Sequence, residues 1–146
     1  MNTHAFLFQT TPELIDIASL IIRLFVGVCM VVHGLGKLGI VGTGNMAGFE
    51  GWLKSLGVPM AAVQARIAML SEISGGLLVT LGLFTRGGAF LCMMTMLIAS
   101  LIGHKGGGYL TTNTPPGNEY TINLAAILFA LILIGPGAYS LDAYLF

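Results

Sequence analysis

The chain has 146 residues, of which 55% are hydrophobic and only 8% are charged, and its formal net charge at pH 7 is zero. A soluble domain carries about 25% charged residues, so this composition and a mean hydropathy of +0.90 indicate a single membrane domain over residues 1–146, with the lipid bilayer as its surroundings. The lack of a basic stripe excludes nucleic acid as an expected partner. The two cysteines form no C-x-x-C pair, so no zinc or thioredoxin motif is present.

The N-terminal stretch MNTHAFLFQTTPELID contains no basic region and no A-x-A cleavage site, so it does not resemble a signal peptide. The later stretch LFVGVC resembles a lipoprotein cleavage box, but Val28 stands before Cys29 where a small residue is needed. We therefore expect the first hydrophobic segment to be retained.

Four apolar segments follow along the chain. A hydrocarbon core about 30 Å thick needs roughly 20 apolar residues in a helix. Backbone groups in lipid must form their hydrogen bonds within the segment, which favours helices over strands. The sequence therefore predicts an all-α fold, an antiparallel bundle of four transmembrane helices at about residues 17–38, 60–84, 87–103 and 120–134.

The connections between these segments alternate in length. The first is long, and we expect a short interfacial helix over FEGWLKSLG, with Trp52 at the headgroup level. The second, FTRGG, is so short that it forces an antiparallel hairpin. The third is long again, and after the fourth segment Ser140 is expected to cap a last short helix. One end of the bundle, the long-loop end, carries both long loops; the other, the tight-turn end, carries the hairpin turn and the chain termini.

Two charged residues lie inside the apolar segments, Arg23 in the first and Glu72 in the second. A charge at the middle of a bilayer costs about 2.5–3.5 kcal/mol on insertion scales, and such charges usually pair. Counted from the long-loop end at about 1.5 Å per residue, Glu72 lies roughly 18 Å deep and Arg23 roughly 22 Å deep. The sequence therefore predicts an intramembrane ion pair between Arg23 and Glu72. In the alternative, Arg23 extends toward the interface and Glu72 is neutral, bonded to a backbone carbonyl or to Asn123.

A second polar cluster is expected at the long-loop end. His33 and Lys37 are four residues apart and share one face of the first helix. His104 ends the third helix, and Glu119 begins the fourth. We expect these four side chains to converge on one polar pocket, roofed by the two long loops.

Three interpretations of this pocket are open. It is a headgroup site for a quinone or another small molecule, because histidine and lysine donors above apolar walls suit such a ligand. Alternatively, His33 and His104 hold a metal or haem, although no H-x-x-x-H or H-E-x-x-H spacing supports such a site and no metal centre is predicted. In the third interpretation, the polar residues only anchor the helices at the membrane interface.

Four blocks of the sequence together resemble the DoxX family of four-helix membrane proteins. They are RLFVGVCMVVHGLGKL, FEGWLKSLGVP, SEISGGLLVTLGLFTR and NEYTINLAAILFALILIGPGAYSLD, in the family's order. Each motif is loose alone, but the combination is specific. The positions that match the family pattern are Arg23, His33, Gly34, Lys37, Glu72, Arg86, Glu119 and Asp142.

The resemblance implies a multi-pass protein of the bacterial inner membrane, and it assigns no catalytic residue. Some members are similar to a small subunit of a thiosulfate:quinone oxidoreductase, and others to partners of membrane-bound redox and thiol-stress complexes. Two hypotheses follow. The chain is a small subunit of a quinone-linked redox complex, with other membrane or peripheral redox proteins as partners, or it is a non-catalytic assembly or structural subunit. Transport is less well supported, because the sequence has no broken helix or inverted repeat.

Overall fold

The computed structural model describes residues 10–146, and every regular element in this part of the chain is helical. The helices are α1 (Pro12–Leu38), α2 (Met46–Ser55), α3 (Ala61–Leu81), α4 (Thr85–Ile98, continued by a π-helical turn over Ala99–Gly103), α5 (Glu119–Ile134) and α6 (Leu141–Leu145). The prediction of an all-α fold is confirmed for the described residues. Most of the N-terminal stretch used for the signal-peptide interpretation lies outside them.

Within residues 10–146, three helices are long and apolar enough to cross a membrane: α1, α3, and α4 with its π-helical turn. Helix α5 is apolar but has only 16 residues, a length of about 24 Å. Large apolar side chains such as Phe25 and Leu101 point outward from these helices. Extensive exposed apolar surface of this kind marks contact with a membrane or a partner.

Local sequence signals set two of the helix boundaries. Helix α1 begins at Pro12, earlier than the predicted residue 17, because the Thr11 side chain accepts the Leu14 N–H and proline suits the first helical position. Hydropathy overlooked this turn because its residues are largely polar. At the other end of the chain, Ser140 caps α6 by accepting the N–H of Ala143 at 3.1 Å, as the sequence predicted.

The hairpin between α3 and α4 depends on a residue far along the chain. Helix α3 ends at Leu81 and is capped by Gly82, which adopts a left-handed conformation with φ of 70°. Helix α4 begins at Thr85, before the predicted residue 87, because the Asp142 carboxylate accepts the N–H groups of Phe84 and Thr85 at 2.6 and 2.9 Å. A cap supplied from so distant a position gives no signal in the local sequence.

The long helices pack in chain order, α1 against α3, α3 against α4 and α4 against α5, and α5 also contacts α1. Helices α1 and α3 approach each other closely, with Gly27 against Gly76 and Gly34 against Ile73. Small residues permit such close contact between helices in lipid. The buried apolar core between the helices consists of Val26, Met30, Val79, Ala89, Cys92, Met96, Ala125, Leu128 and Leu131.

We expect Gly76→Ala to destabilise the protein. The added Cβ would lie 2.7 Å from the Gly27 carbonyl oxygen, so α1 and α3 would have to separate. Overpacking of this kind costs about 1–3 kcal/mol, against the roughly 1 kcal/mol that alanine gains in helix propensity. The thermal unfolding midpoint in detergent should therefore fall. The control is Gly87→Ala in α4, where a Cβ meets nothing within 4 Å; an equal fall in both variants would contradict the proposed contact.

Candidate functional site

Glu72 lies near the middle of α3 and is only 2% exposed. Its carboxylate pairs with the ammonium group of Lys37, which stands in the last turn of α1. The Lys37 Nζ atom also lies 5.0 Å from the centroid of the Phe49 ring in α2, within the range of a cation–π interaction. The pair therefore connects α1, α2 and α3 at the long-loop end.

The predicted ion pair between Arg23 and Glu72 is wrong. The depths predicted for Arg23 and Glu72 are similar only if α1 and α3 reach the same level at the long-loop end. Gly34 is four residues from the end of α1, yet it lies against Ile73, which is twelve residues from the start of α3. Helix α3 thus extends beyond α1, and this register places Glu72 opposite His33. Arg23 is ten positions further along α1, roughly 15 Å away along the helix.

Arg23 has its partner at the tight-turn end instead. It is 1% exposed, and its Nη2 atom donates a hydrogen bond to the backbone carbonyl of Tyr139. Its Nη1 atom faces Gly82, where an added Cβ would lie only 1.8 Å away. The Nε and Nη1 atoms have no hydrogen-bond partner among the residues that the structure describes. Arg23 is therefore enclosed by backbone, and it does not extend toward the interface.

Asp142 joins the chain end to the hairpin between α3 and α4. Besides the two backbone N–H groups that it caps, its carboxylate accepts the Thr85 hydroxyl at 2.8 Å, and its own N–H donates to the Gly82 carbonyl at 2.7 Å. Partial desolvation alone would raise the pKa of this carboxyl. The hydrogen bonds from Thr85 and Phe84, together with the charge of Arg23, outweigh desolvation and hold the pKa of Asp142 below its ordinary value.

Helix α1 also holds the segment between α5 and α6. The Ser19 hydroxyl donates to the Gly135 carbonyl at 2.8 Å, and the Asp16 carboxylate accepts the Ala138 N–H at 2.9 Å. The motif GPGAYSLD is therefore a structural connection at the tight-turn end, since its backbone and its aspartate join three parts of the chain.

A cavity of about 670 Å³ opens at the long-loop end. His33 and Lys37 are the polar residues that α1 contributes to its wall, and Thr43 and Asn45 are the polar residues of the segment that follows α1. Phe49 of α2 adds an aromatic ring. Sites for small molecules typically measure about 300–1,000 Å³, with mostly apolar walls and a few polar groups. The cavity therefore has the size and the lining of a site for a small-molecule headgroup.

A chain of hydrogen bonds runs from this wall toward α5. The Nε2 atom of His33 lies 2.6 Å from the hydroxyl of Tyr120, and that hydroxyl lies 3.1 Å from the Sγ atom of Cys29. Neither Tyr120 nor Cys29 was predicted from the sequence to belong to the site. For Cys29, the sequence did contain a signal: Cys29 and His33 are four residues apart, which puts both on one face of α1.

His104 and Glu119 do not line the cavity. The Nδ1 atom of His104 lies 3.2 Å from the Pro116 carbonyl oxygen, and Glu119 accepts the Thr111 hydroxyl at 2.5 Å. The structure thus brings His33 and Lys37 together and places the other two candidates elsewhere, because the loop between α4 and α5 folds on itself. Three histidine, cysteine or acidic side chains that could together hold a metal ion do not occur within residues 10–146.

Trp52 and Asn123, which the sequence placed near the pocket roof and near Glu72 respectively, have other partners. Trp52 packs over Gly103 at the π-helical turn, where an added Cβ would lie 2.7 Å from the indole ring. Asn123, the alternative partner proposed for Glu72, exchanges hydrogen bonds with the Tyr109 hydroxyl at 3.0 and 3.2 Å. Lys37 is therefore the partner that the fold provides for the buried carboxylate.

We expect Lys37 and Glu72 to be strongly coupled in stability. Glu72→Gln and Lys37→Met should each lower the free energy of unfolding by about 3 kcal/mol, because each leaves a buried charge without its partner. The double variant should cost less than the sum of the two, with a coupling energy of about 2–3 kcal/mol. Denaturant unfolding in mixed micelles measures all four proteins.

The matched control is the ion pair of Glu50 and Arg66, whose charged atoms lie 3.1 Å apart and whose side chains are 26% and 56% exposed. An exposed pair contributes less than about 1 kcal/mol, so Glu50→Gln and Arg66→Met should be nearly additive. Additive effects at Lys37 and Glu72 would show that the buried pair does not form.

We expect acid to weaken the tight-turn end through Asp142. Because folding lowers the pKa of this carboxyl, its contribution to stability is complete above the ordinary pKa of aspartate and is lost as the pH falls through the folded-state value. At pH values below about 4, the thermal unfolding midpoint should therefore decrease. Asp142→Asn should lower the midpoint at neutral pH and remove this part of the acid loss. An unchanged dependence on pH in the variant would refute the assignment.

The sequence profile of the DoxX family matches residues 18–105. Inner membrane protein YphA of Escherichia coli (strain K12) is 33% identical over 129 residues, covering 84% of this chain and 86% of its own. Inner membrane protein YqjF of the same strain is 28% identical over 133 residues, covering 91% and 95%. An uncharacterized protein of Haemophilus influenzae is 31% identical over 122 residues, covering 83% and 85%. No solved structure matches the chain with significant similarity. The resemblance inferred from the motifs is confirmed: the chain is a multi-pass membrane protein that belongs to the DoxX family.

Proposed function

We propose that this protein is a small subunit of a redox complex in the bacterial inner membrane and that its cavity binds a quinone headgroup. The observation that carries the proposal is the cavity itself, in which the cationic Lys37 and the imidazole of His33 stand on one wall. The location agrees with the names of the two Escherichia coli relatives, which are inner membrane proteins.

The proposal includes a bundle in which α5 is a fourth transmembrane helix. At its start, Tyr120 contacts His33 of α1 near the long-loop end, and just after its end Gly135 contacts Ser19 of α1 near the tight-turn end. Helix α5 therefore runs antiparallel to α1 through most of the same apolar layer. Its length of about 24 Å falls short of the hydrocarbon core by only about 6 Å, which local thinning of the bilayer accommodates.

The cavity suits a quinone for chemical reasons. A quinone headgroup is a flat ring whose two carbonyl oxygens accept hydrogen bonds. Lys37 carries three N–H donors, and it forms its ion pair within residues 10–146 with Glu72. Phe49 and Val32 supply apolar wall, and the exposed side of α1 near Val32 gives an isoprenoid tail a path into the surrounding lipid.

A non-catalytic assembly or structural subunit is the second candidate. It is favoured by the tight-turn end, where charged family positions serve to hold backbone together. Arg23 bonds the Tyr139 carbonyl, and Asp142 caps α4. In this alternative, Lys37 and Glu72 have the same structural purpose at the long-loop end.

We expect protein purified from bacterial membranes in mild detergent to retain quinone, measured by solvent extraction and chromatography. His33→Ala should lower the retained amount about tenfold, the effect of losing one hydrogen bond. His104→Ala is the control, because His104 contacts the Pro116 carbonyl away from the cavity, and it should retain quinone like the wild type. A wild-type protein that holds no quinone but copurifies with a stable membrane complex would favour the structural subunit.

A further inference from the structure

We propose that Tyr120 and Cys29 set the tautomer of His33, so that the α1 wall of the cavity offers only hydrogen-bond donors and selects an oxidised quinone over its quinol. The inference deepens the proposed function and rests on it. It assigns a role to two residues that the family resemblance left without one, and it names the redox form of the ligand.

The distance between Tyr120 and His33 favours one direction for their hydrogen bond. The hydroxyl oxygen and Nε2 lie 2.6 Å apart. Bonds donated by N–H groups to oxygen are usually about 2.7–3.2 Å long, whereas those donated by hydroxyls extend down to about 2.5 Å. The contact therefore fits a tyrosine O–H that donates to the lone pair of the imidazole nitrogen.

Cys29 is compatible with the same direction and holds the phenol in place. In the order from thiol to phenol to imidazole, the thiol donates to the phenol oxygen and the phenol donates to Nε2. A thiol is a weak donor and a weak acceptor, so the sulfur by itself does not choose the direction. The contact of 3.1 Å between Sγ and the Tyr120 oxygen positions the hydroxyl, and the distance of 2.6 Å between that hydroxyl and Nε2 carries the assignment of Nε2 as the acceptor.

A neutral imidazole carries one proton, so with Nε2 as acceptor the proton stands on Nδ1. The hydrogen bond that His33 makes with the described residues uses Nε2, which leaves the Nδ1 proton for a ligand. The second polar side chain of this wall, Lys37, has donors and no acceptor. Both polar side chains that α1 contributes to the cavity therefore donate.

A wall of donors discriminates between the two redox forms of a quinone. The carbonyl oxygens of the oxidised form only accept, so they match the Nδ1–H of His33 and the ammonium of Lys37. A quinol oxygen can accept from these donors only when its own proton points away from α1, toward Thr43, Asn45 or the open side of the cavity. Where that proton finds no acceptor, the lost hydrogen bond corresponds to a preference of about tenfold for the oxidised form.

The tautomer is tested by nitrogen NMR of protein labelled with 15N-histidine, at a pH where imidazole is neutral. The chain has three histidines, and His33→Gln identifies the signals of His33. We expect a protonated Nδ1 and an unprotonated Nε2, with Tyr120→Phe shifting the population toward the other tautomer. Tyr109→Phe is the control, because Tyr109 bonds Asn123 at the same end, and it should leave the signals unchanged. A wild-type His33 protonated on Nε2 overturns the inference.

The selectivity is tested by titrating the protein, without oxygen, with a short-chain alkyl benzoquinone and with its quinol. The wild type and Tyr109→Phe should bind the quinone about tenfold more tightly, and Tyr120→Phe should lose most of that preference. Equal affinities in the wild type would overturn the selectivity while leaving the quinone site intact. If neither compound binds, the proposed function fails, and the NMR result alone then reports on the tautomer of His33.

Discussion

The carboxylate of Glu72, held inside an apolar helix, is the constraint on which the long-loop end depends. An unpaired charge at such a position is unfavourable in free energy, and the ammonium of Lys37 pairs with it. That contact fixes the last turn of α1 beside α3, and the Phe49 ring then covers the ammonium from α2. The cavity lies between these parts of α1 and α2, so its polar wall is a consequence of how the buried charge is neutralised.

Charged residues have different roles at the tight-turn end and at the long-loop end. At the tight-turn end, Arg23 and Asp142 are committed to backbone groups, and Arg23 is enclosed on all sides. At the long-loop end, Lys37 pairs with Glu72 and His33 contacts Tyr120, and both side chains also border open space. A ligand can therefore reach donors at the long-loop end, whereas the tight-turn end is organised to hold the chain together.

The chain of Cys29, Tyr120 and His33 links the fold to the proposed chemistry. It is a polar contact between α1 and α5, two helices that touch less extensively than the pairs adjacent in the packing order. The same contact orients the imidazole that faces the cavity. A residue that helps to dock α5 can in this way also control what the site accepts.

Composition, periodicity and local capping are properties of neighbouring residues, so the membrane class, the apolar helices, the Ser140 cap and the DoxX membership could be predicted from the sequence. The spacing of four residues also placed His33 and Lys37 on one helix face. The partner of Glu72 could not be predicted, because it depends on how far α3 is displaced along α1. The contacts of Gly27 with Gly76 and of Gly34 with Ile73 set that register. The Asp142 cap on α4 and the approach of Tyr120 to Cys29 likewise join residues remote in the chain, so they depend on the packing of the helices and have no local sequence signal.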